Sequence, residues 1–221
     1  MKSLFDLNSP LMQGLSRVAD LLILNFLFLI CCIPIVTIGA SLTALHTVTM
    51  KLVRDEEGGI VKEFFRAFTS NFRQATAIHL FFLLIAGLVF VDVWFVLYSV
   101  ESHGAMSYIL FGVAALLGVF SILMLLYVYP LLAKFENSTK RTLQLSFILA
   151  IRHLPTTILL AAIAAIPIVF LIIPHEIVIA VLFLMGILGF AALAMAQAYL
   201  YRKVFDQYIP QNEETKSEVP A

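Results

Sequence analysis

Charge is what this chain has least of. Asp, Glu, Lys and Arg make up 13% of its 221 residues, against 62% hydrophobic ones. A soluble domain carries about 25% charged and about 45–50% apolar residues. A mean hydropathy of +1.00 points the same way. The composition excludes a water-soluble globule and reads as a polytopic membrane protein. The formal net charge is zero, so no basic field points to nucleic acid. Cysteine is nearly absent too, with only Cys31 and Cys32. They are neighbours in an apolar run, where adjacent helical side chains diverge, so a disulfide framework is excluded.

Patterns that carry chemistry are missing as well. There is no HExxH, CxxC or His-x-His, and hence no recognisable metal-ligand set. There is no glycine-rich phosphate loop. Ser and His are too scattered to nominate a catalytic triad, and no acid or nucleophile pair sits in mid-bilayer. The sequence therefore predicts no enzymatic activity and no cofactor.

What the chain does have is long apolar runs. A spanning helix needs about 20 mostly apolar residues. Residues 18–35, 74–98, 105–133 and 177–200 supply four, and 156–173 is shorter but almost purely aliphatic. The first run is continued by others and followed by no Ala-x-Ala-like site, so it is not expected to be a cleaved signal peptide.

The doubtful segment is 37–53, TIGASLTALHTVTMKLV. If it crosses, all 14 Lys and Arg fall on one side, within 1–17, 51–73, 134–152 and 202–221. The opposite turns, near 34–39, 99–104 and 174–176, then hold none. If it does not cross, there are five spans, and Lys2 and Arg17 must sit outside. The positive-inside rule favours crossing. Pro34 and Gly39 supply the turn between the two helices. The predicted fold is therefore an all-α bundle of six transmembrane spans, with five as the alternative, in the cytoplasmic membrane with both ends in the cytosol. Residues 1–208 form one transmembrane domain. The polar tail 209–221 is expected to be disordered and cytoplasmic.

Two stretches read as amphipathic helices lying at the cytoplasmic interface. In GGIVKEFFRAFTSNFRQAT, Ile60, Phe64, Phe68 and Phe72 recur every four residues, with Arg66 and Arg73 largely away from them. A Gly58–Gly59 hinge precedes them. A weaker copy, STKRTLQLSFILAIRHLPTT, follows 79 residues later and places Arg141 on Lys62 and Phe147 on Phe68. Each leads into a span, which suggests a parallel repeat. Phe64, Phe68, Phe72, Arg66 and Arg73 are the candidates for docking a partner or the lipid surface. Trp94, Tyr98 and Tyr108 on one side, and Tyr127, Tyr129, Tyr199 and Tyr201 on the other, read as aromatic belts.

Polar groups within the spans are functional candidates by default, because leaving them in hydrocarbon is costly. They are Asp20, Asn25, His46, His79, Asp92 and Gln197, of which Asn25, His46, Asp92 and Gln197 lead. Asn25 and Gln197 lie at similar depth and could form a structural clamp or a substrate site. His46 is the deepest titratable group. It is read either as a packed histidine bonded to a hydroxyl, or as a ligand or proton carrier. Gly39, Thr43 and Thr47 on one line and Ala40 and Ala44 on the next suit a helix buried among others.

LLILNFLFLICCIPIVTIGASLTAL and KLVRDEEGGIVKEFFRAFTSNFRQAT, together with YVYPLLAKFENS and AIRHLPTTIL, resemble the bacterial YesL-like family of integral membrane proteins, a family of unknown function. The resemblance implies a small multi-span protein of Gram-positive bacteria, linked with carbohydrate uptake by ABC transporters. It carries over no catalytic residues. The leading functional expectation is a non-enzymatic accessory or assembly component of such a system, with the bilayer and ABC-transporter subunits as partners. The alternative is a small-solute transporter with a site near the break at Pro34–Gly39.

Overall fold

The computed structural model describes residues 10–56, 58–98, 105–170 and 175–208. The polar tail, Lys2, Lys216 and the turn at 99–104 lie outside them. The described residues form helices and no strands: α1 (Pro10–Cys32), α2 (Ile38–Leu52), α3 (Ile60–Tyr98), α4 (Ala105–Lys134), α5 (Thr139–Arg152), α6 (Leu154–Phe170), α7 (His175–Leu184) and α8 (Phe190–Phe205). A single 3₁₀ turn, Ile35–Thr37, joins α1 to α2, and a π-helical segment, Met185–Gly189, joins α7 to α8. Among the described residues five helical segments are long and apolar enough to cross a membrane, or six if the bent pair α5–α6 counts as one span. Cys31 and Cys32 are both free thiols.

α2 is the doubtful segment, and it returns. Arg17, near the start of α1, donates to the Leu52 carbonyl at the end of α2 at 2.5 Å and pairs with Asp55. The chain has therefore gone out along α1 and come back along α2. Arg54 pairs with Asp206, and Arg202 donates to the Val53 carbonyl at 3.2 Å. Lys51 pairs with Glu63 at 3.0 Å. These contacts gather the start of α1, the end of α2, the start of α3 and the end of α8 at one basic end of the bundle. Ion pairs open to solvent, like Arg17–Asp55, stabilise little; here the pairs mark register.

Most of α2 is buried, and it packs against α1, α3, α4 and α8. The small residues explain how. A Cβ on Gly39 would lie 2.6 Å from the Ala75 carbonyl oxygen and 2.7 Å from the His79 Cβ, so only glycine lets α2 approach α3 this closely. Ala40 and Ala44 are fully buried beside it. The threonine hydroxyls need no partner from another helix. Thr43, Thr47 and Thr49 donate to the carbonyls of Gly39, Thr43 and Leu45 at 2.8–2.9 Å.

The first amphipathic stretch is not a separate helix. α3 runs unbroken for 39 residues, a contour of about 58 Å at 1.5 Å per residue, roughly twice the hydrocarbon thickness of a bilayer. Gly59, at φ +121°, sets its start, and Glu63 accepts from the Gly58 N–H at 3.0 Å. Nor does the Phe stripe face lipid. Phe64 is buried in one core cluster with Leu24, Val48 and Leu52, and Phe68 and Phe72 are partly buried in the core. The second stretch is an elbow: α5 and α6 meet at 103°. Ser138 caps α5, accepting from the Arg141 N–H at 3.4 Å.

Candidate functional site

α2 carries His46 two helical turns beyond Gly39, on a face that looks toward α3, α4 and α8. A cleft of about 540 Å³ opens there. His46, His79, Tyr129, Gln197 and Tyr201 line its polar part, and Leu83, Ile122 and Ile168 stand at its exposed apolar lips. Ala164 of α6 lines it as well. Among the described residues no Lys, Arg, Asp or Glu lines it.

The polar part is only partly self-satisfied. His79 Nδ1 and the Tyr129 hydroxyl share a hydrogen bond of 2.9 Å. The Tyr201 hydroxyl donates to the Leu126 carbonyl at 2.5 Å. Gln197 Nε2 donates to the Leu160 carbonyl at 3.4 Å, a long bond. His46 meets Tyr201 edge-on, with ring centroids 5.6 Å apart. It is only 6% exposed, and its Nδ1 has no hydrogen-bond partner among the described residues. His46 is packed, as one reading had it, but not bonded to a hydroxyl. It is His79 that has the hydroxyl.

The expected Asn25–Gln197 clamp does not form. Both residues clamp, but each onto backbone. Asn25 is fully buried and donates to the carbonyls of Met185 (3.2 Å) and Gly186 (2.7 Å). Its Oδ1 accepts from the Ala191 N–H at 3.0 Å. A π-helical turn leaves carbonyls out of the ordinary ladder, and one carboxamide satisfies two of them together with an amide N–H. Gly189, where a Cβ would collide with the Met185 side chain, belongs to the same turn. Asn25 is thus structural and lies outside the cleft.

Asp92 lies outside it too, 13 residues beyond His79 on α3, about 20 Å along the axis. Its Oδ2 is buried without a hydrogen-bond partner among the described residues. The break at Pro34–Gly39 is a turn between helices, with Ile33, Ile35 and Val36 exposed; the polar cleft lies deeper, at His46. Of the leading candidates, then, the structure brings together His46 and Gln197.

A second, polar cleft of about 510 Å³ opens at the basic end. Lys51, Glu63, Arg66, Asn71, Lys134 and Glu136 are among its lining residues. Gln74 donates to the Asn137 carbonyl at 2.9 Å and ties α3 to the α4–α5 connection there. Arg66 lines this cleft, and Arg73 is exposed on the same half of α3.

Sequence reasoning missed Tyr129 and Tyr201. Their positions in the sequence read as an interfacial belt with Tyr127 and Tyr199, but of the four only Tyr199 is exposed. Tyr127 is buried, its hydroxyl 3.0 Å from the Thr157 hydroxyl. A buried tyrosine must find a partner for its O–H, but nothing in the linear pattern separates it from a belt residue.

Among the described residues no group of three His, Cys, Asp or Glu side chains could hold a metal ion. Residues 21–93, which take in most of α1, all of α2 and most of α3, match the model of a family described as "Protein of unknown function, DUF624". No curated protein and no solved structure matches the chain.

Proposed function

We propose that this protein is a non-enzymatic membrane component that works by binding a partner: an accessory or assembly subunit of a carbohydrate uptake system of the ABC type, related to the YesL-like proteins. Its basic end faces the cytosol in this reading, as the placement of Lys and Arg favours. The observation that carries it is α3. At about 58 Å this 39-residue helix is longer than one bilayer crossing. Its basic-end half, against which α2 packs, forms one wall of the polar cleft and exposes Val61, Phe65, Arg66 and Arg73. A rigid helix with alternating apolar and basic groups, beside a cleft of mixed charge, suits a cytoplasmic protein segment rather than lipid alone. The docking face is thus Phe65 with the two arginines, since Phe64, Phe68 and Phe72 turn inward.

A photo-crosslinking residue in place of Phe65, in the full chain in native membranes, tests this. Crosslinks to a permease or ATPase subunit are expected, falling at least about fivefold when Arg66 and Arg73 are both changed to Glu, because rim charges steer association. Crosslinks to lipid or to a second copy alone would overturn the reading. Transport of a small solute is the second reading. It rests on the His46 cleft rather than on the Pro34–Gly39 turn, and His46-dependent flux into proteoliposomes would favour it.

A further inference from the structure

We propose that the His46 cleft is a lateral binding site for an uncharged, hydroxyl-bearing, single-chain amphiphile of the monoacylglycerol type. Its head would sit against His46 and Gln197, and its chain would leave between Leu83, Ile122 and Ile168. Three observations select this occupant. First, His46 is more than nine-tenths buried in the cleft wall, and its Nδ1 makes no hydrogen bond among the described residues. Nδ1 itself is closed to solvent, so a ligand hydroxyl meets the ring's other nitrogen, as donor or acceptor. Gln197, held only by a 3.4 Å bond, has amide capacity to spare.

Second, the lining contains two imidazoles, a carboxamide and two phenols and, among the described residues, no Lys, Arg, Asp or Glu. An anionic or cationic head buried here would lack a counter-charge in a low-dielectric setting, which is expensive. A neutral polyol head meets no such cost. Third, the mouth is apolar: Leu83, Ile122 and Ile168 are exposed on long apolar helices, where the surface of a membrane bundle meets lipid. A free sugar would find no favourable lip there, whereas an acyl chain would. The cleft of about 540 Å³ is within the usual size of ligand sites. It has room for a small head and the first part of one chain.

Native mass spectrometry of the intact purified protein tests this with three probes: 1-monomyristoylglycerol, lysophosphatidylglycerol of equal chain length, and glycerol. One saturable adduct is expected with the first, binding about tenfold weaker with the second, and none with glycerol. His46→Leu should weaken the monoglyceride adduct about tenfold, as expected for a lost hydrogen bond to a buried group. Ile168→Trp narrows the mouth at an exposed position, leaves the polar floor untouched, and should weaken it similarly. That variant keeps the test decisive if His46→Leu fails to fold. Equal binding of the two lipids, or unchanged binding in Ile168→Trp, would overturn the proposal. So would a photo-reactive residue at position 168 that labels a polypeptide instead of a lipid probe, since the occupant would then be a protein helix.

Discussion

α3 and the α5–α6 pair carry the same pattern of amphipathic turn leading into apolar run, yet one is straight and the other bends by 103°. In the offset that aligns Lys62 with Arg141, the bend at His153–Leu154–Pro155 falls on Gln74–Ala75–Thr76. Pro155 has no N–H for the Ile151 carbonyl, and its ring crowds that carbonyl. It also disfavours helical geometry at Leu154. The break falls one residue earlier, at His153, with φ −112° and ψ 45°, and α6 starts at Leu154. The Thr157 hydroxyl then donates to the carbonyls of Ala150 and His153 at 2.9 and 3.0 Å, and the Tyr127 hydroxyl reaches Thr157. The bend is therefore hydrogen-bonded rather than frayed. At the matching place in α3 all the N–H groups are present. α2 also lies against it, with Gly39 on Ala75 and His79. Amphipathic periodicity alone specifies neither outcome; one proline and one neighbouring helix do.

Moving the proline should have the largest effect. Thr76→Pro removes an α3 ladder bond and introduces the ring clash, at a cost of about 3 kcal/mol or more. Spin labels near residues 62 and 95 should report a shortened distance. An unchanged distance would mean that packing on α2, and not the backbone ladder, keeps α3 straight. Next comes Gly39→Ala, which attacks the brace. Its Cβ would meet backbone at Ala75, so α2 must shift at a cost of roughly 1–3 kcal/mol. Denaturation in detergent measures the loss, and a stability within error of the parent would show that α2 does not hold α3 so tightly. Thr157→Val, on the other side of the comparison, leaves the Ala150 carbonyl and the Tyr127 hydroxyl short of a partner. The expected cost is about 1–2 kcal/mol, near the upper range for hydrogen bonds between membrane helices. The angle should stay close to its present value because Pro155 remains, as labels near 141 and 168 would show.

Much of the architecture was legible in the linear chain. Arg17, Lys51, Arg54, Lys134 and Arg202 gather at one end of the bundle, as the one-sided distribution of charge required. The small residues of 37–53 did identify a buried helix, and its threonines do bond back along it. The site was legible in fragments. His46 and Gln197 share a cleft as intramembrane polar groups, while Asn25 belongs to a π-helical turn that no pattern announced. The partner of a buried polar side chain is whichever atom another helix presents at that depth and rotation. That is a property of packing and not of spacing.

Composition and the cost of charge in hydrocarbon settled by themselves that this is a membrane-spanning helical bundle with one basic end. Those terms are local and add along the chain. Which helix bends, which tyrosines turn inward and which polar groups meet around His46 were decided only in the tertiary structure. Each depends on how closely one backbone approaches another, and at Gly39 and Asn25 that approach is set by atoms far apart in sequence.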